Sequence, residues 1–134
     1  MSRAEARRVS GLNVEIEVDG HTIQTDKPEA DGGTDLGPMP SRLLAASLAA
    51  CTLATMAIYA DRKDWDISGV TVAVDFDGSP PPGETAQMLI DLGIPDSFSD
   101  EQKQRLEVVA GKCPVHRTLT GEIEIDTRTR YLPS

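Results

Sequence analysis

The sequence predicts an α+β fold, ordered ββ-α-ββ-αα-β, with antiparallel strands around a long buried central helix. Three observations carry this reading. Apolar and polar residues alternate through Leu12–Asp19. The stretch Leu43–Ala60 holds no charge. Two further alternating segments flank a turn containing Pro80, Pro81 and Pro82.

In the first segment Leu12, Val14, Ile16 and Val18 alternate with Asn13, Glu15, Glu17 and Asp19, the period of a half-buried strand. Asp19-Gly20 is a two-residue turn signal, and His21 to Gln24 can run back, so residues 9–26 read as a hairpin. Residues 27–40 read as loop, punctuated by Pro28, Gly32, Gly33, Gly37, Pro38 and Pro40. Pro40 suits the first turn of a helix, where its missing N–H costs nothing, and the helix should reach about Arg62. That helix is apolar on nearly every face and should be enclosed on all sides. So small a chain has few elements to enclose it, and a second subunit would supply the cover. A homodimer is therefore expected.

Val70, Val72, Val74 and Phe76 form the next alternating set, and Ala86, Met88, Ile90 and Leu92 the one after, together a second hairpin. Ser99-Asp100-Glu101-Gln102 is a capping-box start. Leu106, Val109 and Ala110 give the following helix its inner face, and Gly111 ends it. Pro114 starts a short further helix. Glu122–Thr127 reads as a last strand, with Ile123 and Ile125 pointing inward.

The 134 residues fit one domain, 1–134. With 39% hydrophobic and 26% charged residues the composition is that of a soluble globular chain. A net charge of −9 argues against nucleic-acid binding, which needs a cationic footprint. The cluster Arg3, Arg7, Arg8 reads as a solvated face. The uncharged run is long enough to raise the question of a membrane span, but it is Ala-rich and carries Ser47, Thr52 and Thr55, which suits a buried core helix. The charged N-terminus lacks the apolar segment of a signal peptide, and a cytoplasmic, non-membrane protein is expected.

The two cysteines, 62 positions apart, are the chemistry-bearing residues. Too few for a secreted disulfide scaffold, they suit a dithiol that cycles through a disulfide. Helical spacing puts Leu44, Ser47, Leu48, Ala54, Thr55 and Ile58 on the face of Cys51. Burial alone would raise its pKa and leave it an inert core residue, so a reactive Cys51 needs a cation or donor from elsewhere. Arg42, nine residues back, points to the opposite side of the helix, and Arg62, eleven residues on, lies about 16 Å along the axis. Cys113 precedes Pro114 and can cap the short helix, where free N–H groups favour thiolate. His116 sits one turn on, placed to accept its proton or hydrogen-bond to it, and Arg117 adds charge. Both also read as ordinary surface or capping residues. Cys-x-x-His is half of a zinc signature, but only Cys51 and His21 remain as further soft ligands, so no metal is expected.

Met39-Pro40-Ser41-Arg42-Leu43-Leu44-Ala45-Ala46-Ser47-Leu48-Ala49-Ala50-Cys51 resembles the helix start of the osmotically inducible protein C and organic hydroperoxide resistance family (OsmC/Ohr). Cys113-Pro114-Val115-His116-Arg117-Thr118-Leu119 resembles its second cysteine motif, Cys-Pro-Val-Ser-x-x-Leu. The resemblance implies an OsmC-like fold, an intertwined homodimer with active sites at the subunit interface, and no cofactor. It implies a stress-response enzyme, an antioxidant peroxidase that reduces organic hydroperoxides with its own thiols. Cys51 would become a sulfenic acid, Cys113 would condense with it to a disulfide, and a dithiol reductant, lipoyl or similar, would reset the pair.

The chain departs from the family where the helix cysteine is activated. Ser41 stands where the pattern has glutamate, and no arginine lies between Arg8 and Arg42. Lys27 is the cation of that stretch, and a lysine does not reproduce a planar two-donor clamp. Arg117, Lys27, Arg62, or Arg8 delivered by a partner subunit are the candidate replacements. The competing reading is a small-molecule binding or redox-sensing protein that keeps the fold without efficient peroxidase chemistry.

Overall fold

The structure is a computed structural model that describes residues 1–134. It is a mixed α+β chain with small sheets and one long helix. Its elements are β1 (Ala4–Ser10), β2 (Asn13–Val18), β3 (His21–Thr25), a 3-10 turn (Glu29–Asp31), α1 (Pro40–Arg62), β4 (Thr71–Asp75), β5 (Leu89–Gly93), α2 (Asp100–Ala110) and α3 (Pro114–Thr120). The chain divides into two compact units, Met1–Ala49 with Val72–Leu92, and Ala50–Thr71 with Gly93–Ser134.

In the first unit β1, β2 and β3 form an antiparallel sheet in chain order. The β2–β3 turn falls where expected: Asp19 and Gly20 both take positive φ, 50° and 81°, as a primed two-residue turn requires. Strand β1 is an addition to the expected hairpin. Ala4-Glu5-Ala6-Arg7-Arg8 has no apolar alternation to announce it, and pairing with β2 creates the strand. Arg7 faces Glu15 in the ladder and reaches the carboxylates of Glu15 (3.7 Å) and Glu17 (3.3 Å). All three side chains keep substantial solvent exposure, so the pairs set register more than stability. Leu12 belongs to the β1–β2 turn, not to a strand.

After β3 the chain folds around one carboxylate. Asp26 is 1% exposed and accepts hydrogen bonds from Lys27 N–H (2.7 Å), Thr34 N–H (3.3 Å), Thr34 Oγ1 (2.7 Å) and Leu36 N–H (3.2 Å). The loop closes so tightly that a Cβ on Gly33 would meet the Lys27 carbonyl and Asp26 Oδ1, so this position admits only glycine. The Thr34 hydroxyl is the main cause holding the Asp26 carboxyl below its ordinary value. Burial pushes the other way, and the Lys27, Leu36 and Thr34 N–H groups reinforce the hydroxyl. The ionised carboxylate supplies the acceptors that this hairpin-free turn of backbone lacks.

The second unit is built on apolar burial. Met56 and Ala60 of α1, Val70, and Leu106, Val109 and Ala110 of α2 are all 5% exposed or less. A side chain the size of Leu106 contributes about 1.5–3 kcal/mol on full burial. Helix α2 opens with the expected capping box: Ser99 Oγ accepts from Gln102 N–H, and Gln102 Oε1 accepts from Ser99 N–H. Gly111 caps its C-terminus at φ −74°, in the right-handed region. Its role there is to offer its N–H to the Val108 and Val109 carbonyls rather than to adopt a left-handed turn.

One expected element is absent. Glu122–Thr127 is not a strand; residues 121–134 are exposed and carry no regular structure, with Ile123 at 55% and Ile125 at 84%. A strand exists through its ladder partner, and this chain alone provides none for that segment. Helix α1 has the expected span and, as expected of a chain with too few elements to enclose it, is only partly covered by its own chain. Leu44 and Ile58 are 46% and 58% exposed, and only 28% of its most apolar window is buried. By length and composition it is also a helix able to cross a bilayer. The second hairpin has shorter strands than its alternation suggested, since Ala86–Met88 precede β5 and carry no strand pairing.

Candidate functional site

The second unit brings four chemistry-bearing residues together: Cys51, Thr52, Cys113 and His116. Both cysteines are free thiols. Cys51 is half-buried on α1, while Cys113 is 0% exposed at the N-cap of α3. The cap follows from local sequence. Pro114 fixes φ for the first helical residue and holds Cys113 extended at φ −65°, ψ 130°, which turns its sulfur back over the first turn. There Sγ accepts from the His116 N–H at 3.5 Å.

The Cys113 sulfur is pulled two ways. Burial, the largest influence, pushes the thiol up. The Cys51 thiol, the His116 N–H, the Thr52 hydroxyl and the Val115 N–H together outweigh burial and bring it below its ordinary value. These donors are unequal. The His116 N–H makes an aligned bond. Thr52 Oγ1 faces the sulfur from a 0% exposed side chain without meeting hydrogen-bond geometry to any partner. His116 Nδ1 is likewise buried and unpartnered. Two polar atoms, Thr52 Oγ1 and His116 Nδ1, are thus buried without a partner in this chain.

The hydroxyl that matters differs from the two expected. Thr55 and Ser47 share the helical face of Cys51, but Thr55 Oγ1 is spent on the Cys51 carbonyl at 2.8 Å. Thr52, next in sequence to Cys51, is the one turned to the second sulfur. No spacing rule pointed to it, because its partner is 61 positions away in the chain.

The candidate cations are not hydrogen-bonded to either sulfur. Arg117 is exposed on α3, and Arg62 is exposed in the last turn of α1. Arg8 is exposed and donates its Nε–H to the Gly11 carbonyl at 2.8 Å, closing the β1–β2 turn. Lys27 and Ser41 belong to the first unit, Lys27 exposed beside Asp26 and Ser41 half-buried in the first turn of α1. No group of three or more His, Cys, Asp or Glu side chains is arranged to hold a metal ion.

A family model described as OsmC-like protein matches residues 32–128, a span that includes both cysteines. The chain belongs to the OsmC-like protein family. No curated protein sequence matches it. Among solved structures, this OsmC-like chain is similar to a Psychrobacter arcticus protein provisionally described as an osmotic stress induced and detoxification response protein. Their identity is 25%, with 88% of each chain covered and a TM-score of 0.76. It is also similar to the organic hydroperoxide resistance protein OsmC of Legionella pneumophila (20% identity, 90% of each chain, TM-score 0.66). A third likeness is to the organic hydroperoxide resistance protein OhrB of Bacillus subtilis, at 22% identity and TM-score 0.57, over 90% of this chain and 91% of that one. The two lower identities speak for the fold.

Proposed function

We propose that this OsmC-like protein is a thiol-dependent peroxidase that reduces organic hydroperoxides through Cys51 and Cys113. The observation that carries the reading is the meeting of two free thiols at one sulfur-centred cluster, one half-buried and one wholly buried. Cys51, the reachable sulfur, attacks the distal peroxide oxygen; the O–O bond breaks, an alcohol leaves, and Cys51 becomes a sulfenic acid. Cys113 then displaces water to form the Cys51–Cys113 disulfide. The peroxide gains two electrons, the dithiol loses two, and a dithiol reductant, lipoyl or similar, restores it.

The working form is a cytoplasmic homodimer. The exposed apolar residues of α1 and the unpaired segment carrying Ile123 and Ile125 support it, because a second copy would bury both. Stopped-flow consumption of cumene hydroperoxide by the reduced protein tests the function. One equivalent per protomer, lost in Cys51→Ser, is expected; less than one equivalent, unaffected by that substitution, would overturn it.

The alternative, a small-molecule binding or redox-sensing protein, is favoured by one observation. No arginine or lysine is hydrogen-bonded to Cys51, and Ser41 replaces the family glutamate. Under that reading the protein binds a peroxide or thiol compound reversibly without turnover under excess reductant.

A further inference from the structure

In a chain of net charge −9, one corner of the second unit gathers cations on an aromatic ring. Tyr59, in the last turn of α1, packs edge-on against Trp65 with ring centroids 5.6 Å apart. Lys63 Nζ stands 5.8 Å from the centre of the Tyr59 ring, and the guanidinium carbon of Arg105, on α2, stands 5.2 Å from it. Arg105 also donates its Nε–H to the Tyr59 hydroxyl oxygen at 2.9 Å. We propose that this corner is the docking surface for the reductant, and that the reductant is a protein with an acidic face that carries a dithiol. This rests on the peroxidase reading above and deepens it, assigning the partner of the recycling step.

The two cations are not spent on the chain's own carboxylates. Arg105 has Glu101 four residues before it on α2, the spacing and order that favour an ion pair on a helix, and does not take it. Lys63 is next to Asp64 in sequence and is equally unpaired; the ion pairs of the chain use Arg3, Arg7 and Lys103. Asp66, just beyond Trp65, accepts from the Ser68 N–H at 2.9 Å. Lys63 and Arg105 are exposed, and Tyr59 and Trp65 are half-buried. Val108, three residues after Arg105 and on the same face of α2, is 52% exposed. A tyrosine, the chain's only tryptophan and an arginine beside exposed apolar surface are the composition of a protein-binding hot spot.

The position singles out a macromolecule. Tyr59 follows Cys51 by eight residues on α1, about 12 Å along the axis, and α2 leads from Arg105 through Gly111 and Lys112 to Cys113. A small dithiol at the sulfurs would not touch cations that far off. A protein seated on them would, while reaching the sulfurs with a dithiol on an extended side arm. Two acidic proteins repel at long range, so a local cationic patch fixes which faces meet. The exchange balances. A partner thiolate attacks Cys51, the more exposed sulfur of the Cys51–Cys113 disulfide, giving a mixed disulfide and releasing Cys113. The partner's second thiol displaces Cys51, and the partner leaves as its own disulfide. It loses two electrons and two protons, and Cys51 and Cys113 regain them as thiols.

The test uses the full-length protein turning over cumene hydroperoxide with two reductants, dithiothreitol and a reduced, tryptophan-free lipoyl domain of net negative charge. With the acidic domain, Lys63→Glu/Arg105→Glu should raise KM about tenfold or more. The wild-type KM for the domain should climb as NaCl rises from about 20 to about 200 mM, a dependence the double variant loses. With dithiothreitol the two proteins should turn over equally. Tyr59→Phe keeps the ring and removes the oxygen that accepts from Arg105, and should raise the KM for the domain about twofold. Titration of the domain onto the oxidised protein, followed by Trp65 fluorescence, should show saturable binding that the double variant loses. An unchanged KM for the domain, an equal loss with dithiothreitol, or a double variant that no longer forms the wild-type assembly in gel filtration overturns the proposal. A wild-type protein that consumes no hydroperoxide with either reductant sinks the peroxidase reading instead, and the Trp65 titration still decides whether an acidic protein docks at this corner.

Discussion

Two buried acids, one in each unit, are treated in opposite ways. Asp26 is 1% exposed and surrounded by four donors at 2.7–3.3 Å, all but the Thr34 hydroxyl backbone N–H groups. Cys113 is 0% exposed and has one aligned donor, while the Thr52 hydroxyl beside it satisfies no partner. Both are held below their ordinary pKa. A saturated carboxylate has nothing left to exchange and works as a staple for the loop into α1. The Cys113 sulfur, with one aligned donor, keeps acceptor capacity that its own chain leaves unfilled. The contrast is between a carboxylate whose acceptor sites are filled and a sulfur with a single aligned donor.

Removing the reachable thiol should have the largest effect. Cys51→Ser is expected to cut hydroperoxide turnover by about a thousandfold or more, measured at saturating reductant, with little change in melting temperature. Leu106→Ala probes the apolar packing of the thiol-bearing unit and should cost about 2–5 kcal/mol in denaturant unfolding, since this side chain is 0% exposed.

Asp26→Asn sharpens the other half of the contrast. The neutral amide turns an NH₂ toward groups that are themselves donors, so the thermal midpoint should fall by several degrees. The pH dependence has a defined sign. The folded-state pKa of Asp26 is lowered, so its contribution is present above the unfolded value near pH 4 and is lost as pH falls through the lowered one. Denaturation midpoints followed from about pH 5 to about pH 2 should therefore fall less steeply in Asp26→Asn than in the wild type. Smallest is Ser99→Ala, which removes one arm of the α2 capping box and should cost about 1 kcal/mol. A loss much larger than that would mean α2 depends on its cap more than on Leu106 and Val109.

The cysteine motifs were legible because their signals are local. Pro114 announces the cap at Cys113, and Pro40 followed by an uncharged run announces α1. The Asp19-Gly20 turn and the Ser99–Gln102 box were equally readable, each being a short-range hydrogen-bond or torsional requirement. What sequence could not supply was anything created by pairing across the chain. Strand β1 has no apolar period and exists through β2. The segment Glu122–Thr127 has the period but no partner within this chain. Thr52 looked like one more residue of a core helix until the fold brought Cys113 to it. In the sequence the Asp26 loop shows only turn punctuation, because a carboxylate that gathers N–H groups up to ten positions away leaves no spacing signature.

Intact-mass analysis of the fully reduced protein after one equivalent of cumene hydroperoxide, followed by peptide mapping without reduction, tests the central claim most directly. The expected result is the loss of two hydrogens per chain and a single cross-linked peptide pair joining Cys51 to Cys113. An unchanged mass, or a gain of oxygen on Cys51 with Cys113 still free, would contradict it.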